Sequence, residues 1–481
     1  MRPPLSIAPF LRVRGIFFGD GLRSRALRGT AASIAASLSQ QGLRLISNLI
    51  LTRLLFPEAF GLMALIQSFM VAMVMFSDLG TQTSIIQSDR GENEKFLNTA
   101  FTFQAIRGVV LWLACCALAW PLASFYDETQ ILYMLPVVGL TAIVDGLGTT
   151  KVAVAGRNLH YGRQTGILVA CQAITLVVMI VTAWLWPSVW ALVVGNLFGS
   201  VLQCVAMHLL LPGRTNRFQW DASAFREIFG FGKFIFISSV AGFFVSQGDK
   251  LLLGKTMTMA DLGIYNIAFY LAAFPSGLGA VVANKILFPL YRHVRPSESA
   301  ENRLKIRRAR TLLISAMLFM LGSVAILGDW MVDFLYDDRY VAAGPMLILL
   351  AVMNMPTAIM MGVNPILLAE GDSRSFAVLT ISRGLVYFAS ILVGFWAFGL
   401  FGILMAQALM IILTYPLQQY FLARHNAGDI RQDLFFFALG GLLSAVAIAI
   451  NFAGVSGFVT QSLAHAPLFT GTWAPQTIFA R

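Results

Sequence analysis

Residues 51–62 read LTRLLFPEAFGL, and 202 positions further on residues 253–264 read LGKTMTMADLGI. In this register Leu51 meets Leu253, Arg53 meets Lys255, Phe60 meets Leu262, Gly61 meets Gly263 and Leu62 meets Ile264. Each stretch closes one long apolar run and opens the next. The shared basic residue and glycine therefore fall in a non-apolar turn, where chance matching of hydrophobic residues is least able to produce them. The pair reads as an internal duplication. Six apolar runs separate the copies, an even number, so both halves enter the bilayer from the same side and are related by an axis along the membrane normal.

Outward from these turns the chain is apolar almost throughout. Of its 481 residues 58% are hydrophobic and 12% charged, with a mean hydropathy of +0.75. A soluble domain carries about 45–50% apolar residues, so this is an integral membrane protein. About 20 residues at ~1.5 Å each cross the hydrocarbon core. Thirteen runs are long enough, at 29–55, 59–80, 96–122, 130–152, 165–186, 188–211, 231–254, 262–290, 310–335, 343–369, 377–397, 399–422 and 434–453. The expected fold is all-α, with 12–14 transmembrane helices in two pseudo-symmetric six-helix lobes around a central cavity. The division runs as a cytoplasmic basic tail (1–28), an N-lobe (29–211), a cytoplasmic linker (212–230), a C-lobe (231–422), an extra helix (423–453) and a polar tail (454–481).

The net charge of +11 would suit a nucleic-acid binder, but the distribution of the basic residues decides otherwise. With the amino terminus inside, 25 of the 34 lie on cytoplasmic segments, four on the opposite face (Arg53, Lys255, Arg339, Arg481) and five within spans. That asymmetry fixes the orientation by the positive-inside rule. The cluster Arg303, Lys305, Arg307, Arg308 and Arg310 is expected to be a cytoplasmic loop that sets topology and touches anionic lipid. The first 28 residues are Arg-rich with one acid, Asp20, and read as a cytoplasmic tail rather than a secretory signal.

A charge at the bilayer centre costs ~3 kcal/mol even on lenient scales, so the charges inside spans carry the functional signal. These are Arg44, Arg107, Lys250, Lys285 and Arg383 against Asp78, Asp145 and Asp249, a cationic balance. On the first span Ser37, Gln41, Arg44 and Asn48 recur at spacings of 4, 3 and 4, which stacks them on one face. Two readings stay open: a stripe lining a wet cavity, or helix glue in which Arg44 pairs with an acid such as Asp145. Asp249 and Lys250 are adjacent and point about 100° apart on a helix, so they cannot simply neutralise each other. Lys285 and Arg383, nearer span ends, are expected to snorkel.

Other chemistries find no support. Cys115, Cys116, Cys171 and Cys204 lack metal-type spacing, as do the five histidines. The stretch GDKLLLGKT (248–256) puts five residues between its glycines where a phosphate-binding loop has four, and it lies in a span. There is no HExxH and no GxSxG, and the segments assigned outside are short. The expectation is a non-enzymatic protein without a cofactor or bound metal.

LTRLLFPEAFGLMAL (51–65), FSDLG (76–80), NTAF (98–101), DKLLLG (249–254), LGIYN (262–266), FPL (288–290) and LLAEGD (367–372) together resemble the ordered signature stretches of the polysaccharide-transporter family. This is the Wzx-like branch of the MOP superfamily, which also holds multidrug exporters and the peptidoglycan lipid flippase. The resemblance implies a bacterial inner-membrane flippase that moves an undecaprenyl-pyrophosphate-linked oligosaccharide outwards by alternating access, for exopolysaccharide or O-antigen-type export. Substrate contacts are expected from Arg44, Lys250, Gln41, Asn48, Arg107 and Asn266, and coupling to H+ or Na+ from Asp249 or Asp145. Expected partners are the lipid-linked glycan, membrane lipids and a polysaccharide polymerase, with no nucleic acid. A multidrug exporter of the same superfamily is the main rival, and a membrane polymerase or ligase the lesser one.

Overall fold

The computed structural model describes the chain at residues 22–157 and 161–470, with side chains at 34–157, 162–230, 239–363 and 365–468. The tail 1–28 therefore lies almost wholly outside the described residues, as does 471–481. Among the described residues there are helices and turns and no strand. The first half runs α1 (Leu22–Leu54), α2 (Pro57–Ser77), the short α3 (Thr81–Gln87), α4 (Glu94–Tyr126), α5 (Gln130–Gly146), the short α6 (Lys151–Arg157), α7 (Tyr161–Leu185) and α8 (Val189–Leu210). The second half runs α9 (Ala222–Thr256), α10 (Met259–Val282), which continues through a π-turn into α11 (Phe288–His293), α12 (Ala300–Leu335), α13 (Ala343–Met361) with α14 (Asn364–Ala369), α15 (Ser373–Phe398) and α16 (Leu400–Arg424). After these come α17 (Ile430–Ile450), α18 (Phe452–Ala464) and the single turn α19 (Pro467–Thr470).

Ten of these helices are long and apolar enough to cross a membrane, or eleven with the pair α5 and α6, which bends by 55°. The count of thirteen is not confirmed. Two helices read as spans, α1 and α9, are outside that set; both combine apolar residues with charges and amides over 33 and 35 residues. Two boundaries also differ from expectation. Residues 454–464, read as polar tail, belong to α18, whose Val455, Phe458 and Ser462 are buried. Its 13 residues are too few to span by themselves. The basic cluster at 303–310 is the opening of α12 rather than a loop, and Arg310 is 2% exposed.

The duplication is written into the helix boundaries. α1 ends at Leu54 and α9 at Thr256, while α2 starts at Pro57 and α10 at Met259, so both junctions keep the 202-residue offset. The two starts use different local chemistry. Pro57 sits in the first turn of α2, where a missing N–H costs nothing, and Thr258 caps α10 by accepting from Asp261 N–H at 3.2 Å. Within the N-lobe α1 packs on α7, α4 on α5 and α7 on α8; within the C-lobe α9 packs on α15, α12 on α13 and α15 on α16. The lobes meet where α2 lies along α9 and α10.

At that meeting the two turns of the repeat touch each other. A Cβ on Gly61 would stand 1.9 Å from the Met259 carbonyl oxygen, and one on Gly263 would stand 1.9 Å from that of Pro57. Residue i meets residue j of the other copy and j meets i, the signature of a twofold contact. Only glycine, with no Cβ, allows backbones this close.

Candidate functional site

The polar stripe of α1 faces the opposite lobe. Asn48 accepts a hydrogen bond from Tyr336 O–H at 2.9 Å, just past the end of α12. Gln41 lies against bare Gly277 of α10, its amide nitrogen 2.6 Å from where a Cβ would stand. Arg44 lies between them on the same helical face, since residues three and four apart stack. Its side chain is exposed and makes no ion pair among the described residues. Asp145, the structural partner considered for it, is next to Arg107 instead. A guanidinium can grip phosphate oxygens in a bidentate manner.

Asp249 and Lys250 on α9 diverge as helical neighbours must. Asp249 accepts a hydrogen bond from Tyr265 O–H on α10 and lies near Tyr387 of α15, while its Oδ1 is buried without a partner among the described residues. Lys250 is 6% exposed, with Nζ 4.8 Å from the centre of the Phe269 ring and 5.7 Å from that of Tyr270. Aromatic faces attract a cation but offer no counter-charge. Asn266, one residue past Tyr265, is buried, with Oδ1 unpartnered among the described residues. Asp249, Lys250 and Asn266 thus gather around α10, whereas Gln41, Arg44 and Asn48 sit on α1. No hydrogen bond or ion pair joins the two groups among the described residues.

Arg107 lies elsewhere, inside the N-lobe, where Nη1 is 3.6 Å from Asp78 and Asp145 is a further electrostatic neighbour. The α4–α5 seam that carries Arg107 and Asp145 is tight, because Gly108 packs against the Ala142 carbonyl and Gly146, and Asp78 reaches it from the end of α2. Arg383 donates to Gln418 at 2.7 Å.

Sequence reasoning missed two features. The first is a buried ion pair: Arg310 Nη2 stands 2.7 Å from Asp433 of α17, with the two side chains 2% and 0% exposed. Asp433 also accepts from Gln419 at 2.7 Å and Tyr415 at 3.3 Å. The signal was present in the spacing of Ile306, Arg310, Leu313 and Met317, which share one helical face. The second is a closure at the end assigned as external. Lys255 bonds Asp127 across the lobes at 2.7 Å, Tyr126 O–H donates to the Leu251 carbonyl at 3.2 Å, and Arg339 donates to the Thr52 carbonyl at 3.1 Å. Arg339 also grips Asp337 and holds its carboxyl below the usual range, hydrogen bonding being the largest cause. Arg53 and Lys255 are repeat equivalents, and Tyr126-Asp127 and Tyr336-Asp337 end equivalent helices, so the closure is roughly twofold. Beside it lies a cavity of about 460 Å³ edged by Phe56, Glu58, Glu128, Gln130, Ser188 and Met259. None of the residues expected to contact substrate lines it.

Residues 50–345 match the model of a family described as polysaccharide biosynthesis protein. Among curated relatives, the chain is 19% identical to the teichuronic acid biosynthesis protein TuaB of Bacillus subtilis over 61% of each chain. It is 21% identical to the succinoglycan biosynthesis transport protein ExoT of Rhizobium meliloti, over 67% of this chain and 65% of that one. It thus spans a little under two thirds of the length of either. The lipopolysaccharide biosynthesis protein WzxC of Escherichia coli is 19% identical over 90% of this chain and 88% of its own. Among solved structures, the lipid II flippase MurJ in an inward closed conformation superposes with a TM-score of 0.65 at 12% identity, covering 90% of this chain and 99% of that one. An outward-facing multidrug transporter of the MATE family gives 0.57 at 12% identity, covering 90% and 98%. These likenesses show a shared fold.

Proposed function

The chain belongs to the polysaccharide biosynthesis protein family, and from that premise we propose that it flips an undecaprenyl-pyrophosphate-linked oligosaccharide across the bacterial inner membrane. The observation that carries the reading is Arg44, exposed on a polar face of α1 whose neighbours Gln41 and Asn48 touch the opposite lobe. Pyrophosphate is at least a dianion and needs a cation away from bulk water; the sugars need amides and hydroxyls. The lipid tail stays in the bilayer throughout. In this reading the lobes are 29–211 and 231–422, the headgroup is captured at Arg44 with Lys250 as the second cation, and the lobes rock to release it outside. Arg107, already next to Asp78, contributes field rather than a free contact. Asp249, with one unpartnered oxygen, is the favoured site of H+ or Na+ coupling over Asp145, and a polymerase receives the product.

The test is translocation of a fluorescent pyrophosphate-linked oligosaccharide in proteoliposomes. Wild type is expected to flip it, and Arg44→Ala and Lys250→Met to lose at least tenfold in rate at equal protein incorporation. Unchanged rates in both variants would remove the cationic headgroup site. Absence of wild-type flipping across several such glycans would overturn the substrate class. A drug-resistance panel would then test the multidrug reading, which shares the fold but favours an acidic interior.

A further inference from the structure

The segment 212–230, which joins α8 to α9 and takes in the first turns of α9, is built inside out. Its polar groups are spent on the protein. Asn216 bonds Thr149 and Thr150 at 3.1 and 2.7 Å, Arg217 N–H donates to Asn98 at 3.0 Å, Gln219 N–H to Thr102 at 2.9 Å and Asp221 N–H to Thr99 at 3.0 Å. Its aromatic residues are turned away: Phe218 is 70% exposed, Trp220 49% and Phe229 50%. The first turns of α9 are apolar on two faces. Ala224 and Ile228 are buried against Phe96 and Leu97, while Phe225 carries Trp220 at 4.8 Å and Phe229 at 5.8 Å on the other side.

Water is the wrong medium for such a surface, because uncovered aromatic clusters mark contact with another apolar phase. Its position names the phase. Phe218 and Phe225 pack at a tilt against Phe101 and Phe103, ring centres 5.2 and 5.6 Å apart, within the opening turns of the membrane-crossing helix α4, where a helix passes the headgroup layer. Aromatic rings concentrate at that depth. Arg217 and Arg226 are exposed around them and suit anionic phosphates, while Arg214 is taken up by Glu94 at 3.3 Å. We propose that this connector is a membrane-surface anchor, with Phe218, Trp220 and Phe229 seated in the cytoplasmic headgroup region and Arg217 and Arg226 on anionic phospholipid. The one covalent tie between the lobes is then held by lipid as well as by protein. This does not depend on which substrate is flipped.

The experiment places a nitroxide on Phe218→Cys, Trp220→Cys and, as control, Arg214→Cys in the full chain, in nanodiscs of phosphatidylcholine with or without phosphatidylglycerol. Collision with oxygen is compared with collision with a water-soluble nickel chelate. With phosphatidylglycerol the oxygen-to-nickel ratio at 218 and 220 is expected several-fold above that at 214, and lower in phosphatidylcholine alone. Ratios at 218 and 220 no higher than at 214 in phosphatidylglycerol discs would overturn the anchor and point to a protein partner for the aromatic face. Equal ratios in the two lipids would overturn the role of the arginines. Two independent label sites keep the test decisive if one variant folds poorly.

Discussion

An arginine and an aspartate buried against each other respond unequally to mutation, because removing one leaves the other charged and dry. Arg310 and Asp433 are such a pair. Asp433→Ala is expected to cost about 3–5 kcal/mol, while Arg310→Met with Asp433→Leu costs much less; thermal unfolding in detergent reads both. A similar loss in the single and the double variant would mean that the neighbouring Gln419 and Tyr415 network, rather than the charge pair, holds α17. At the external end Asp337 has a pKa below its ordinary value. A depressed carboxyl stabilises above its unfolded pKa, and that contribution is lost as pH falls through the folded one. Wild type should therefore exceed Asp337→Asn in stability at neutral pH, with the gap closing only between the ordinary carboxylate value and Asp337's lower one. A gap that persisted below that window would assign the effect to geometry.

At the scale of elements, the closure between α4 and α9 is, in the proposed cycle, a latch that outward opening would break. Linking Asp127→Cys to Lys255→Cys with a short reducible bis-thiosulfonate, which takes the place of the two parent side chains that meet at 2.7 Å, should stop glycan translocation and be reversed by a thiol reductant. Translocation at the wild-type rate with the link formed would mean that the external ends do not separate there. Elements were also where the sequence was most and least legible. Helix positions followed from runs of apolar residues, and both inter-helix turns of the repeat fell within three residues of where those runs placed them. The amphipathic start of α12 was misread because Arg303, Lys305, Arg307 and Arg308 outweigh Ile306 in any local tally, although the period placed Arg310 on the buried face. Periodicity identifies a face, but which charges share a contact across 123 residues is a tertiary fact.

For the molecule as a whole, the Wzx-like resemblance, the membrane setting and the two-lobed fold were readable from ordered signatures, and the family match and fold likenesses bear them out. The site was readable only in part. Arg44 stood out because its neighbours were amides in a helical register. That Lys250 is wrapped by rings and Arg107 paired within its lobe required α4, α9 and α10 to be placed in space. The twofold contact makes its own demand. Gly61→Val should splay the lobes at the external end, raising accessibility of a cysteine at position 127 to a membrane-impermeant maleimide, and Gly263→Val should do the same, since each glycine faces the other copy's backbone. Unaltered labelling in both would separate that contact from the closure.

The approach of Gly61 and Gly263 joins peptide groups rather than side chains. A plug of that kind has no charge to hydrate and no rotamer to unlock when it parts, so it adds little to the barrier for opening. It behaves as a washer, shaped by what is missing from the chain, while the ionic and tyrosine bonds around it set how firmly the door is held. Tuning such a carrier's resting state would then be a matter of editing the rim and leaving the axis alone.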